Sequence, residues 1–250
     1  MRRWLLPLGL IALLLGLWQV ASSTGAIADA LSLEDYLVPS PAEIATALWE
    51  NRGLLAENAW VTLQEILLGI LAALVVGVAF AVLMNRWRAL RDAAYPLVVA
   101  SQTIPIVVIA PILVVWFGYG MTPKVVLIAL FCFFPITVNA FDGLRSVDPE
   151  AVKLMRSLDA SRWQRFWRVE APTALPSLFT GIKIAVVFAP IGAVFAEWAG
   201  SSSGLGHLIQ FDTAYFQVDR QFATVAVLAA MALALIGLTT LAERRVVTWR

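Results

Sequence analysis

The chain has 250 residues, 60% of them hydrophobic and only 14% charged, with a net charge of +1 and a mean hydropathy of +0.82. Soluble domains average roughly 45–50% apolar and about 25% charged residues, and here the apolar residues fall in long blocks, so one large soluble core is excluded. The near-zero charge removes bulk electrostatic attraction to nucleic acid, and the single Cys132, inside FCFFP, removes disulfide frameworks and cysteine-based metal sites.

A helix needs about 20 mostly apolar residues to cross the hydrocarbon layer, and six blocks approach that length. The first runs from about Trp4 to Ala21, behind Arg2 and Arg3; this pattern also fits a secretory signal peptide, with Ala21-Ser22-Ser23 as a poor cleavage region. The second covers 60–84, the third 94–117 with Pro105 and Pro111 breaking it, and the fourth 125–141 with Pro135 inside. The fifth covers 178–198 and the sixth 222–242. Prolines within apolar blocks imply kinked helices packed against neighbours. Between the first two blocks, PSPAEIATALWE reads as a turn and a short amphipathic helix capped near Ser40. Residues 118–124 form a tight loop, 142–177 are the longest and most basic polar stretch, and GSSSGLG opens the connection at 199–221. The fold class is therefore all-α and integral to the membrane, one domain over 1–250 with about six transmembrane helices.

Lysine and arginine placement orients the spans. With six spans and both termini inside, the cytoplasmic side holds Arg2, Arg3, Arg86, Arg88, Arg91, Arg145, Lys153, Arg156, Arg162, Arg165, Arg168, Arg244, Arg245 and Arg250. Only Arg52, Lys124 and Arg220 fall outside, and Lys183 lies in the fifth span. The 142–177 stretch is thereby cytoplasmic. Asp148 and Pro149 start a helix there, Glu150 complements its N-terminal dipole, and Ala151, Leu154, Met155 and Leu158 form an apolar stripe. A second amphipathic stretch from Ser161 to Val169 interleaves Trp163, Phe166 and Trp167 with Arg162, Arg165 and Arg168, and Pro172 and Pro176 are expected to end it. Such a stretch either lies on anionic headgroups or presents aromatic anchors to a cytoplasmic partner; the residues alone leave both open.

The stretch resembles the cytoplasmic coupling loop of type I ABC importer permeases, written E-A-A, three residues, Gly, nine residues, I-x-L-P. Val169-Glu170-Ala171-Pro172 falls at I-x-L-P, Asp159 at the glycine and Lys153-Leu154-Met155 at E-A-A. Spacing and flanks fit; Lys153 and Asp159 depart from the pattern. The family glycine permits a turn between two short helices, and aspartate tolerates a left-handed conformation better than most residues. PSPAEIATAL, EWAGSSSGLGHLI and DRQFA are similar to segments in permeases of the taurine, alkanesulfonate, nitrate and thiamine-precursor group, and SQTIPIVVIAPILVVWFGYGMTPKVV and FFPITVNAFDGLRSVDPE most resemble the branch for pyrimidine precursors of thiamine, or for riboflavin.

The resemblance implies a pore made by two permease copies, read as a homodimer, in the cell membrane of a prokaryote. It implies two copies of an ABC ATPase bound to the coupling loops and an external solute-binding protein. No cofactor is expected on this chain; ATP and magnesium belong to the partner, since no G-x-x-x-x-G-K-[ST] phosphate loop is present. A helix over about Ser157 to Arg168 would dock in the ATPase, with Trp163, Phe166 and Trp167 as anchors, Arg162 and Arg165 pairing with acidic rim residues, and Asp159, Ser161, Arg168 and Pro172 completing the coupling set. Polar groups at membrane depth are functional suspects, which marks Gln102, Thr103, Asn139, Lys183 and Glu197 as candidates for the solute path. Lys183 has the competing reading of snorkelling, Glu197 that of bonding a loop, and Gln102 and Thr103 that of satisfying backbone freed by Pro105. No catalytic or metal site is expected, His207 lacking partners at ligand spacing. A membrane-embedded enzyme would need a His/Asp constellation that one histidine cannot supply, and an ATPase-independent channel or secondary transporter would not need the 142–177 loop. The substrate reading is a pyrimidine precursor of thiamine, with sulfonates or taurine, nitrate and riboflavin as alternatives.

Overall fold

A computed structural model describes residues 2–249. The side chains of residues 2–5, 8 and 35 fall outside that description, and with them the charges of Arg2 and Arg3 and the Trp4 ring; Arg250 falls outside altogether. The described residues form helices and turns without a strand. In chain order the helices are α1 (Arg2–Ser23), α2 (Ala26–Leu31), α3 (Pro41–Glu50), α4 (Arg52–Arg86), α5 (Arg88–Ala100), α6 (Ala110–Phe117), α7 (Met121–Arg145), α8 (Pro149–Ser157), α9 (Arg162–Arg165), α10 (Ala171–Gly200), α11 (Leu205–Ala214) and α12 (Val218–Val246).

Among the described residues, α4, α7, α12 and the continuous stretch Arg162–Gly200 are long and apolar enough to cross a membrane. The third apolar block is not one straight helix. It is a pair, Arg88–Thr103 and Ile106–Phe117, bent by 87°. Pro105 brings no N–H, and the preceding Ile104 is pushed to φ −84°, ψ 121°, out of the helical region. Counted as one broken span, the pair raises the total to five. In the first block, the part whose side chains are fully described, Gly9–Ser23, is a shorter apolar helix. The helices of the second and fourth to sixth blocks overrun their apolar limits at both ends, because helical hydrogen bonding continues where the chain turns polar.

The chain divides into two compact units, with borders inside α4, between α10 and α11, and inside α12. The first comprises Met1–Val61 and Ser203–Ala229. Its core is Ile44, Ala47, Leu55, Leu208 and Ala223, with Trp18 packed against it. The expected cap of α3 is a reciprocal box: Glu43 N–H donates to Ser40 Oγ at 3.3 Å and Ser40 N–H to Glu43 Oε2 at 2.7 Å. The Ser40 amide, and then its hydroxyl, hold the Glu43 carboxyl below the usual carboxylate range. The reciprocal bond is thus present above the ordinary carboxylate pKa and lost as pH falls through the lowered one. Arg220 donates through Nε and Nη2 to Asp212 Oδ1 at 2.9 and 2.6 Å.

The second unit comprises Thr62–Ser202 and Ala230–Arg250, and its frame is α7 packed antiparallel on α10. Ile128, Cys132 and Ile136 of α7 meet Ala185, Val186 and Ala189 of α10 in a core of fully or nearly fully buried side chains. The two backbones come very close. A Cβ on Gly181 would lie 2.6 Å from the Pro135 carbonyl oxygen and 2.9 Å from Asn139 Cβ, and one on Gly143 would lie 2.9 Å from the Ala174 carbonyl oxygen. Small residues at a membrane helix interface permit this approach.

The closeness sets a test. Gly181→Ala forces the helices apart at a cost of about 1–3 kcal/mol, so the thermal midpoint of the detergent-solubilised protein is expected to fall. Gly237→Ala, where a Cβ meets nothing within 4 Å, is expected to leave it unchanged.

Candidate functional site

Between α7 and α10 the chain folds into a two-helix hairpin. Its first helix starts on Asp148, whose Oδ1 accepts the Glu150 N–H at 2.8 Å, with Pro149 in the first helical position. Its end is a reversal at Asp159, which takes φ +53°. There Asp159 N–H donates to the Arg156 carbonyl and Ala160 N–H to the Met155 carbonyl, each at 3.0 Å, so the last turn of α8 is satisfied by a left-handed residue other than glycine. Ser161 caps α9 reciprocally: Gln164 N–H reaches Ser161 Oγ at 3.2 Å and Ser161 N–H reaches Gln164 Oε1 at 2.8 Å.

Two expectations about this region need correction. Ser157–Arg168 is not one helix, because residues 158–161 turn the chain between α8 and α9. Nor do Pro172 and Pro176 end the second helix. The chain passes from α9 through a π turn at Phe166–Glu170 into α10, making one helix from Arg162 to Gly200. Pro172 has no N–H and crowds the preceding turn; the wider i→i+5 turn, in which Ala171 N–H reaches the Phe166 carbonyl, absorbs this without a break. The second arm of the hairpin is therefore continuous, as one helix, with a candidate membrane span.

Trp163, Phe166 and Trp167 stand at i, i+3 and i+4, so helical continuity places them on one face. Trp163, Phe166 and Trp167 form a triangle with ring centroids 5.3–6.1 Å apart, and 69% of Trp163 and 56% of Trp167 remain exposed. Asp159, Arg162, Trp163, Arg165 and Phe166 line one open cleft. Ser161 is the cap, Pro172 follows the π turn, and Arg168 is exposed beside Trp167.

The polar candidates for a solute path lie apart from the hairpin and have local occupations. Gln102 and Thr103 are exposed at the bend of the broken pair, with Thr103 Oγ1 donating to the Ala100 carbonyl at 2.8 Å. Asn139 Nδ2 donates to the Pro135 carbonyl at 2.8 Å. Lys183 does not simply snorkel; it pairs with Glu243 of α12. Glu197 is fully buried and accepts a hydrogen bond from Thr62 Oγ1 at 2.7 Å.

Glu197 belongs to a polar cluster that sequence reasoning missed. Lys124, expected on an external loop, sits in the first turn of α7 with its side chain 8% exposed. Its Nζ donates to Glu65 Oε1 at 2.7 Å and to Ser201 Oγ at 2.6 Å, and Glu65 is fully buried. The cluster binds α4, α7 and the end of α10. Glu65 interrupting an otherwise apolar block, three residues after Thr62, was the available signal, since an ionisable group at such depth needs a partner. Among the described residues no His, Cys, Asp and Glu side chains gather into a group that could hold a metal ion.

Several apolar spans and a capped hairpin whose second arm continues into one of them frame the comparison with known proteins. The chain belongs to the family of binding-protein-dependent transport system inner membrane components, whose model matches residues 65–248. It is similar to a probable ABC transporter permease protein of Haemophilus influenzae, 39% identical over 93% of both chains. It is also similar to the formylaminopyrimidine transport permease protein ThiX of Halalkalibacterium halodurans, 36% identical over 87% of both chains. In fold it resembles an amino acid ABC transporter crystallised with histidines, with a TM-score of 0.65 at 18% identity over 80% of this chain and 97% of the other. The protein is a multi-pass permease subunit of an ABC importer.

Breaking a buried ion pair from one side leaves an uncompensated charge, at about 3–5 kcal/mol, whereas replacing both partners by apolar groups is often nearly neutral. Lys124→Met alone is therefore expected to lower the thermal midpoint sharply, and Glu65→Leu with Lys124→Met to recover much of the loss.

Proposed function

We propose that this permease is driven by a separate pair of ATP-hydrolysing subunits docked on the α8–α9 hairpin, and that it imports a pyrimidine precursor of thiamine delivered by an external binding protein. The observation that carries the docking is the exposed Trp163–Phe166–Trp167 triangle on a hairpin continuous with α10. Aromatic anchors half in water are typical centres of binding energy, and rigid continuity lets a push on the hairpin reach the membrane. Nucleotide-driven closure of the ATPases, which hold the ATP and magnesium, would move Arg162–Gly200 as a unit and switch the spans between inward and outward states. The abundance of Lys and Arg around the hairpin and in the last turn of α12 supports a cytoplasmic hairpin and cytoplasmic termini. Two copies of the chain would enclose the path, with Glu197, Lys183, Asn139, Gln102 and Thr103 as its polar candidates. The substrate reading rests on the likeness to a formylaminopyrimidine permease together with the motif resemblance of the third and fourth blocks.

Two measurements test this reading. In a pull-down with the co-expressed ATPase, Trp163→Ala with Trp167→Ala is expected to weaken association by about 30-fold or more, two anchors being worth at least about 2 kcal/mol, while membrane insertion is unchanged; undiminished association contradicts the docking. In cells lacking their own pyrimidine salvage, the complete transporter is expected to accumulate labelled formylaminopyrimidine, and accumulation of riboflavin or taurine instead overturns the substrate.

A further inference from the structure

The cleft between the last turns of α4 and the hairpin has a volume of about 850 Å³ and an unusual wall. Four guanidinium groups line it: Arg86 from the end of α4, Arg156 from α8, and Arg162 and Arg165 from α9. Only two carboxylates, Asp159 and Glu170, face the same space. Among the described residues none of the four arginines forms an ion pair. Arg165 Nε is buried without a hydrogen-bond partner. A buried charged donor lacking an acceptor is costly, and the like charges around it repel. An anion with several acceptor oxygens relieves both, and guanidinium forks match phosphate geometry. Apart from Asn85 the remaining lining is apolar, with Val82 and Leu83 from α4 and Trp163 and Phe166 from the second arm of the hairpin. Leu83 is 40% exposed and Trp87, one turn further on, 56% exposed, where a candidate span ends.

We propose that this cleft binds a phosphate-bearing anion at the end of α4, held by Arg86, Arg156 and Arg165. Its chemistry is a phosphate mono- or diester, presented either by the headgroup of an acidic phospholipid or by a soluble phosphate. The apolar half of the wall suits the glycerol and upper acyl carbons of a lipid, and acidic headgroups attract arginines at a membrane surface. A bound phosphate would brace α8 and α9 against α4 and so fix the hairpin before any partner arrives. The inference stands on the cleft itself and does not require the ATPase reading.

The test uses the full-length permease in nanodiscs of phosphatidylcholine, alone or mixed with phosphatidylglycerol, and counts retained lipid by native mass spectrometry. The wild type is expected to retain phosphatidylglycerol, with Arg86→Gln/Arg156→Gln retaining it about 30-fold more weakly. Arg156→Lys, which keeps the charge, recovers part of the retention and guards against misfolding of the double variant. A thermal midpoint raised by inorganic phosphate in phosphatidylcholine discs, in the wild type and not in the double variant, assigns the same site to a soluble phosphate. Equal lipid retention by all variants with no effect of phosphate overturns the proposal. Loss of bound lipid when the ATPase is added overturns it as well, by giving the cleft to acidic side chains of the partner. The two arginines chosen lie outside the aromatic triangle, so this failure is distinguishable from failure of the docking reading.

Discussion

The structure of the second unit depends on the close, antiparallel contact of α7 with α10. Its spacing is set by absent side chains: no Cβ fits at Gly143 or Gly181, and alanines fill much of the α10 side. Within a membrane, apolar burial offers little drive for helices to associate, because lipid is as apolar as leucine. Close backbone approach and buried polar bonds must supply it instead. Both are present here, the first along the seam and the second in the Lys124–Glu65 pair with Ser201 at its end. The opposite end of the same seam carries the hairpin, so whatever moves the hairpin moves a helix already fixed to α7.

The two departures from the family's coupling motif have different consequences. Asp159 occupies the position that usually holds glycine, and its backbone takes the left-handed conformation that the turn requires. A non-glycine residue there costs local strain that aspartate bears better than most. Lys153 lies on the exposed side of α8, where a change of charge disturbs no packed contact. The surface the hairpin offers is set by the aromatic triangle.

Much of the fold was legible because membrane helices obey a composition rule: the long apolar blocks, the Ser40 cap and the Asp148-Pro149 start are local signals, and helices stand where they point. What was misread is what local signals cannot carry. Pro105 and Pro172 look alike as helix breakers, yet one bends the chain by 87° and the other is passed by a π turn. Lys124 reads as a loop residue in the sequence because hydropathy says nothing of a partner 59 positions away. The depth of Glu197 is legible in the sequence, but its connection to Thr62 is visible only when α4 and α10 are placed together. Of the candidate site, the i, i+3, i+4 spacing of Trp163, Phe166 and Trp167 is a local signal, while the cleft between the hairpin and the end of α4 depends on placing residues far apart in the chain together.

The central claim is that the hairpin faces the cytoplasm and is covered there by an ATPase. Ser157, exposed at the end of α8, offers the most direct measurement, since the native Cys132 is buried. A Ser157→Cys protein can be labelled with a membrane-impermeant maleimide in intact spheroplasts and in inside-out vesicles, with and without co-expressed ATPase. The account predicts labelling only in the vesicles, and strong protection there when the ATPase is present. Labelling of intact spheroplasts, or equal labelling of vesicles with and without the ATPase, would contradict it.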